Sequence, residues 1–241
     1  MKSAMAPQAL AAYAGAIVTQ CLDMRSGETL LVDCEIGHRD LAVALAEAAY
    51  RAGVVRVDVN YSDRRLQRAR MVDGSPDAGG ALAAWAQARL RATMDDSAAV
   101  VRIVGDDEPG VLADVDPVRM SEDFAQRARS MQWFSRAVVQ NRLRWAIVAW
   151  PTADWARRVY PKMPLSRATT LLGDDLLRFC RLGPDDPQNG WVEHARMLQR
   201  RARVMTKRNF RSLLFRGPGT ELEVGLAHDG VWLGGGGPTP N

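Results

Sequence analysis

The sequence predicts an α/β fold: a doubly wound, mainly parallel sheet with helices on both faces, followed by the first β-strands of an incomplete second domain. Three observations predict it. Short apolar runs alternate along the chain with helical patterns. These runs are apolar on both faces, as in strands that helices cover from both sides. Near residue 211 the pattern changes from helical spacing to strict alternation. We therefore expect an α/β domain over residues 1–208 and the opening hairpin of a truncated second domain over residues 209–241.

The first predicted element is an amphipathic helix. Apolar residues recur there at helical spacing, namely at Leu10, Tyr13, Ile17, Val18 and Cys21. The alternative is a secretory signal, because Lys2 precedes a weakly apolar run. We favour the helix, since its spacing explains the same residues. No run of about 18 apolar residues could span a membrane, so we expect no membrane partner.

Strands and helices then alternate. Predicted strands cover residues 29–34, 54–61, 98–105 and 144–150. Predicted helices cover residues 40–53, 64–72, 81–94, 117–139, 164–180 and 187–208. Gly53 stands where a helix ends, and Pro151 closes the fourth strand. This order of elements predicts the parallel sheet.

The end of the chain predicts a hairpin. Leu222, Val224 and Leu226 alternate with polar residues, and Asp229-Gly230 is a turn signal that precedes a second apolar run at residues 231–233. The free edges of such a hairpin need a covering partner. We therefore expect the partner strands, and the chemistry, to lie beyond Asn241.

The charge of the chain is mild. Its 32 basic residues are offset by 28 acidic ones, which leaves a net charge of +4. Residues 196–211 hold seven basic side chains, which could follow a phosphate backbone. Apolar residues lie between these charges and no aromatic platform accompanies them, so we favour a solvated helix face. We expect no nucleic-acid partner.

The cysteines indicate the compartment. The chain has an odd number of cysteines: Cys21, Cys34 and Cys180. They are far apart in sequence and lack the spacing of metal ligands. We interpret them as reduced thiols and expect a cytoplasmic protein.

Familiar catalytic signatures are missing from the sequence. It contains no HExxH, GxSxG or Walker motif, and no GxGxxG after a predicted strand. His38, His194 and His228 lack a second ligand at metal-binding spacing, so we interpret each as a surface or capping residue. We expect no catalytic, cofactor-binding or metal-binding residue in this chain.

Polar and aromatic residues follow three of the predicted strands. They are Asp63, Asp106, Asp107, Trp150 and Thr152. Because the carboxyl ends of parallel strands meet at one edge of a sheet, we expect these residues to form a cleft edge. Asp106 and Asp107 could hold a hard cation, but we favour turn and capping residues. For Trp150 we favour packing in the hydrophobic core.

Several stretches occur together in a recognisable order. They are "YAGAIV", "EAAYRAGVVRVDVNYSD", "NRLRWAIVAWPTADWARRVYP" and "FRGPGTELEVGL" followed by "WLGG". In this order and spacing the chain resembles the thermophilic-type metalloaminopeptidase family, which includes aminopeptidase T and aminopeptidase S. The resemblance runs over nearly the whole length, and the last two stretches are the most specific.

The resemblance implies a two-domain hydrolase that removes N-terminal amino acids from peptides with two divalent metal ions: zinc, cobalt or manganese. In that family an α/β domain precedes a carboxy-terminal catalytic domain, which supplies the metal ligands. None of those ligands has a counterpart here, so we expect a fragment that is inactive alone and binds no metal. Peptide substrates and a homodimer are further implications. The alternative is a non-catalytic α/β module for small-ligand binding or dimerisation.

Overall fold

A four-stranded parallel sheet forms the centre of the fold, in the order β2-β1-β3-β4. The strands are β1 (Thr29–Glu35), β2 (Arg56–Ser62), β3 (Ala99–Val104) and β4 (Arg144–Ala149). The computed structural model describes residues 4–75, 79–95, 98–140, 142–182 and 189–234. All four predicted strands are present within one or two residues of their expected ends.

Nine α-helices occur in the described ranges. They are α1 (Pro7–Ala16), α2 (Arg39–Arg51), α3 (Arg64–Asp73), α4 (Ala84–Asp95), α5 (Pro117–Ser130), α6 (Gln132–Val139), α7 (Ala153–Val159), α8 (Leu165–Phe179) and α9 (Asn189–Arg208). A π-helical turn, Ile17–Cys21, extends α1, and a 3-10 turn, Ile36–His38, precedes α2. The predicted first helix is confirmed, and Tyr13, Ile17 and Val18 on it are buried.

Helices cover both faces of the sheet, which confirms the doubly wound prediction. On one face, Leu30 and Val32 of β1 pack in a large cluster with residues of α1 and α2, including Leu45. On the other face, Leu31 and Val100 pack against apolar residues of α4 and α6 and against Leu143, which precedes β4. Alternate residues of one strand therefore face two different helical layers.

Two helix predictions need correction. The single helix expected over residues 117–139 is two helices, α5 and α6, which join at Met131, where the backbone has φ −104° and ψ 5°. In α6, Phe134 and Val138 pack against Leu31 and Val100 of the sheet. Helix α7 was not predicted, because seven residues after a proline show too little periodicity.

The predicted hairpin exists, but its predicted position is wrong. Strands β5 (Ser212–Gly217) and β6 (Thr220–Gly225) form an antiparallel pair that turns at Pro218-Gly219. Proline presets φ at the first turn position, and Gly219 adopts φ +72° at the second, so this turn is more favourable than Asp229-Gly230. Residues 231–233 form no strand.

The basic side chains of α9 and its C-terminal flank are exposed: Arg196, Arg200, Arg201, Arg203, Lys207, Arg208 and Arg211. This exposure agrees with the interpretation of a solvated helix face. Within the described ranges, no helix combines the length and the apolar character that crossing a membrane requires.

Candidate functional site

A buried histidine fills the crevice between the carboxyl ends of β1 and β3. The sheet order reverses between these two strands, and open α/β sheets bind ligands at such a point. His38 is fully buried, and its Nδ1 accepts a hydrogen bond from the backbone N–H of Glu35 at 3.2 Å. Its Nε2–H therefore donates to the carbonyl oxygen of Gly105 at 2.7 Å. The capping interpretation of His38 is confirmed.

Close backbone approach at this crevice requires a glycine. A Cβ on Gly105 would collide with the carbonyl oxygen of Trp150 and would lie 3.1 Å from Cγ2 of Thr152. The Thr152 hydroxyl donates to the carbonyl oxygen of Asp106 at 2.8 Å. The segments that follow β3 and β4 are thus held together by this close approach and this hydrogen bond.

Arg64 connects three strand ends above the histidine. Its Nε lies 3.3 Å from Oε1 of Glu35, and its Nη1 donates to Oδ1 of Asp106 at 2.7 Å. Burial raises the pKa of Glu35, and the opposing charge of Arg64 offsets this only in part. The capping interpretation of Asp106 is wrong, because its carboxylate accepts this guanidinium N–H instead.

The other predicted edge residues have different surroundings. Asp63 is the N-cap of α3, and its Oδ1 accepts from the backbone N–H of Arg65 at 2.7 Å. The Asp107 carboxylate packs against Gly37. Trp150 is 4% exposed and belongs to the core, as the sequence analysis predicted. The structure thus brings Asp106, Trp150 and Thr152 together, and Asp63 lies outside this group. Their role in a cleft stays a prediction.

Sequence reasoning missed a row of ion pairs along α3. Four arginines of this helix each pair with an acidic residue of the segment 106–123: Arg64 with Asp106, Arg65 with Glu108, Arg68 with Asp114, and Arg70 with Asp123. The hydrogen bond from Arg65 lowers the pKa of Glu108, and that from Arg68 lowers the pKa of Asp114. The only signal was the density of arginine in "RRLQRAR". This arginine row holds the long connection after β3 against the body of the domain.

Two adjoining cavities lie between that connection and α7, and together we name them the α7 cleft. One of about 270 Å³ is lined by Val104, Gly105, Asp106, Pro109, Ala149, Trp155 and Arg158. The other, of about 450 Å³, is lined by Glu108, Pro109, Gly110, Val111, Asp154, Arg157 and Arg158. The α7 cleft is one space at the strand-end edge that is open to a ligand. A smaller cavity, of about 200 Å³, lies at the ends of β1, β2 and β3.

The described residues do not fit a two-metal centre. Across residues 4–75, 79–95, 98–140, 142–182 and 189–234, no three His, Cys, Asp or Glu side chains are grouped so that they could hold a metal ion. At the strand-end edge Asp106 and Glu108 are already engaged by Arg64 and Arg65. We therefore assign no metal-dependent step to these residues.

Residues 6–241 match the family model described as thermophilic metalloprotease (M29). Aminopeptidase T of Thermus thermophilus is 29% identical over 214 residues, which are 89% of this chain and 52% of that protein. Aminopeptidase PepS of Streptococcus thermophilus is 27% identical over 221 residues, which are 91% of this chain and 53% of that protein.

The fold also matches a solved structure, wild-type AmpT from Thermus thermophilus. The TM-score is 0.82 at 27% sequence identity, over 91% of this chain and 54% of that one. The chain therefore spans about half the length of the relatives that it matches. The names of these relatives do not favour a non-catalytic module.

Proposed function

This chain belongs to the thermophilic metalloprotease family M29, and from that premise we propose that it is the α/β portion of a metal-dependent aminopeptidase, which removes N-terminal amino acids from peptides. The observation that carries the proposal is the family match over residues 6–241, together with relatives that are named aminopeptidases.

In this proposal the two divalent metal ions, zinc, cobalt or manganese, belong to the part of the relatives that this chain does not match. The described residues contribute binding instead. The strand-end edge with Asp106, Trp150 and Thr152 forms one wall of a peptide cleft, and the α7 cleft provides its open volume. The arginine row keeps this wall rigid.

The hairpin supports a boundary between residues 208 and 209. Its register places Leu213 opposite Val224 and Phe215 opposite Leu222, so these four side chains share one face. Phe215 and Leu222 are 50% and 51% exposed on it. We propose that the catalytic half of the enzyme packs on this face.

The proposal includes a homodimer in the cytoplasm. On the outer strand β4, Trp145 and Ile147 are 47% and 59% exposed, an apolar surface that suits a second copy. The three cysteines are free, as expected in a reducing compartment. Light scattering of the purified protein measures the oligomeric state directly.

A chimera tests the proposed activity. The chain is joined to the part of Thermus thermophilus aminopeptidase T that it does not match, and hydrolysis of leucine p-nitroanilide is measured with added zinc, cobalt or manganese. We expect the chimera to hydrolyse the anilide and the 241-residue chain to stay at background. Amide hydrolysis by such an enzyme needs a metal-activated water, and the described residues supply no metal ligands for it.

The contradicting result is also specific. If the chain alone hydrolyses the anilide with added metal and Asp106→Ala abolishes that activity, the catalytic centre belongs to the α/β domain. If the Asp106→Ala protein, prepared in the same way, shows the same rate, the activity belongs to a contaminating peptidase and not to this chain.

A further inference from the structure

Among the described residues that line the α7 cleft, one cation has no partner. Of the acidic residues that line it, Asp106 pairs with Arg64, Glu108 with Arg65, and Asp154 with Arg157. Arg158 lines both cavities, and its guanidinium has no hydrogen bond or ion pair with any residue in the described ranges. The charges around the cleft are therefore balanced except for this guanidinium.

An apolar surface lies next to that guanidinium. Trp155 and Arg158 are three residues apart on α7, so they share one face of the helix, and both line the smaller cavity. Val104, Pro109 and Ala149 complete its apolar wall. Arg158 is exposed, so a carboxylate can approach it from solvent, and a guanidinium can bind both carboxylate oxygens at once.

We propose that the α7 cleft binds the C-terminal carboxylate of a short peptide, with Arg158 as the cation that binds it and Trp155 as the apolar contact of the last side chain. The choice of a peptide rests on the proposed aminopeptidase function, whereas the choice of a carboxylate rests on the unpaired cation. The shared chemistry is a carboxylate on an apolar group, which a free amino acid also carries. The larger cavity, about 450 Å³, has the size of a typical ligand pocket and gives room beyond one residue.

The proposal predicts a preference for peptides with a free C-terminus. A peptide held at its tail is limited in length, because its N-terminus must still reach the reacting centre. Amidation of the tail removes the negative charge that Arg158 recognises, without changing the shape of the side chains.

Binding to the 241-residue chain tests the proposal without any turnover. The probes are N-acetyl-Ala-Ala-Leu as the free acid and as its C-terminal amide, with N-acetyl-leucine as the single-residue probe. Acetylation blocks the N-terminus, so no aminopeptidase can consume them. We expect titration calorimetry to show the acid binding at least about tenfold more tightly than the amide, the size of one charge-assisted contact.

Two variants locate the effect. Arg158→Gln should reduce the affinity for the acid to that for the amide. Arg136→Gln removes the same charge from an exposed position on α6 that lines neither cavity, and it should change nothing. Circular dichroism checks that both variants fold.

Three results overturn the proposal. They are the absence of detectable acid binding at millimolar concentration, equal affinity for acid and amide, and unchanged affinity in Arg158→Gln. Binding of N-acetyl-leucine as tight as that of the tripeptide overturns the assignment to a peptide. The result is independent of catalysis, since an inactive chain can still bind the acid and an active enzyme can fail to bind it.

Discussion

Backbone hydrogen bonds hold both the parallel central sheet and the antiparallel terminal hairpin, but the surroundings of the two differ. Strand β1 lies between two neighbours, and helices cover both of its faces, so Leu30 and Val32 are fully buried. Every residue of β6 is exposed. An isolated two-stranded hairpin is marginal in water, because backbone pairing alone contributes little without buried apolar area. The difference shows that the covering layers, more than the hydrogen bonds, decide which strands are stable.

Hydrogen exchange should show the largest difference between the two regions. Peptides covering β1 and β3 should exchange only through global unfolding, whereas a peptide covering residues 220–226 should exchange through local opening. We expect the hairpin amides to exchange at least about 10³-fold faster, measured by mass spectrometry. Protection of residues 220–226 equal to that of β1 in a monomeric sample would show that this chain covers the hairpin by itself.

A matched pair of substitutions tests the same comparison through the free energy of unfolding, with a smaller expected effect. Leu45→Ala leaves a cavity in the core cluster under the sheet, where Leu45 is fully buried, and should lower the free energy of unfolding by about 3 kcal/mol. Leu222→Ala, at a site 51% exposed, should change it by less than about 0.5 kcal/mol. Urea denaturation measures both values. Equal losses would mean that the apolar face of the hairpin is already buried.

The smallest expected effect on the free energy of unfolding comes from an ion pair at the start of the sheet. This effect depends on pH. The Glu28 carboxylate accepts the backbone N–H of Arg25 at 2.8 Å and pairs with Arg144 at 2.5 Å. Burial alone raises the pKa of Glu28, but the hydrogen bonds from Arg144 and Arg25 outweigh it, so the pKa is lowered. A lowered pKa stabilises the fold above the unfolded value of about 4.3, and this contribution is lost as the pH falls through the folded value.

Glu28→Gln should therefore cost about 1 kcal/mol at neutral pH, a modest figure because solvent screens the pair. The difference from the unsubstituted chain should shrink below about pH 4. Urea midpoints at several pH values measure it, with Glu221→Gln in the exposed hairpin pair Arg216–Glu221 as the control. A cost that is the same at pH 3 and pH 7 would contradict the assigned ionisation.

Local patterns in the sequence were enough to predict the four strands of the sheet, most of the helices and the doubly wound fold. Short apolar runs such as "TLLVDC" indicate buried strands, and this signal does not depend on distant residues. The break at Met131 was not predictable, because helical spacing continues across it. The hairpin was misplaced because two turn signals compete, Pro218-Gly219 and Asp229-Gly230, and apolar and polar residues alternate beside both. Only the register that pairs Phe215 with Leu222 decides between the two turns.

The sequence by itself determined the order of the elements, the family resemblance and the edge at which strand ends meet. Only the tertiary structure decided which charges neutralise one another there. Arg70 and Asp123 are 53 positions apart, and His38 and Gly105 are 67 apart, so no spacing along the chain relates them. A periodic pattern is local, whereas an ion pair or a buried hydrogen bond depends on distances that exist only after the sheet has formed. For the same reason Arg158 could be recognised as an unpaired cation only once its neighbours had been placed.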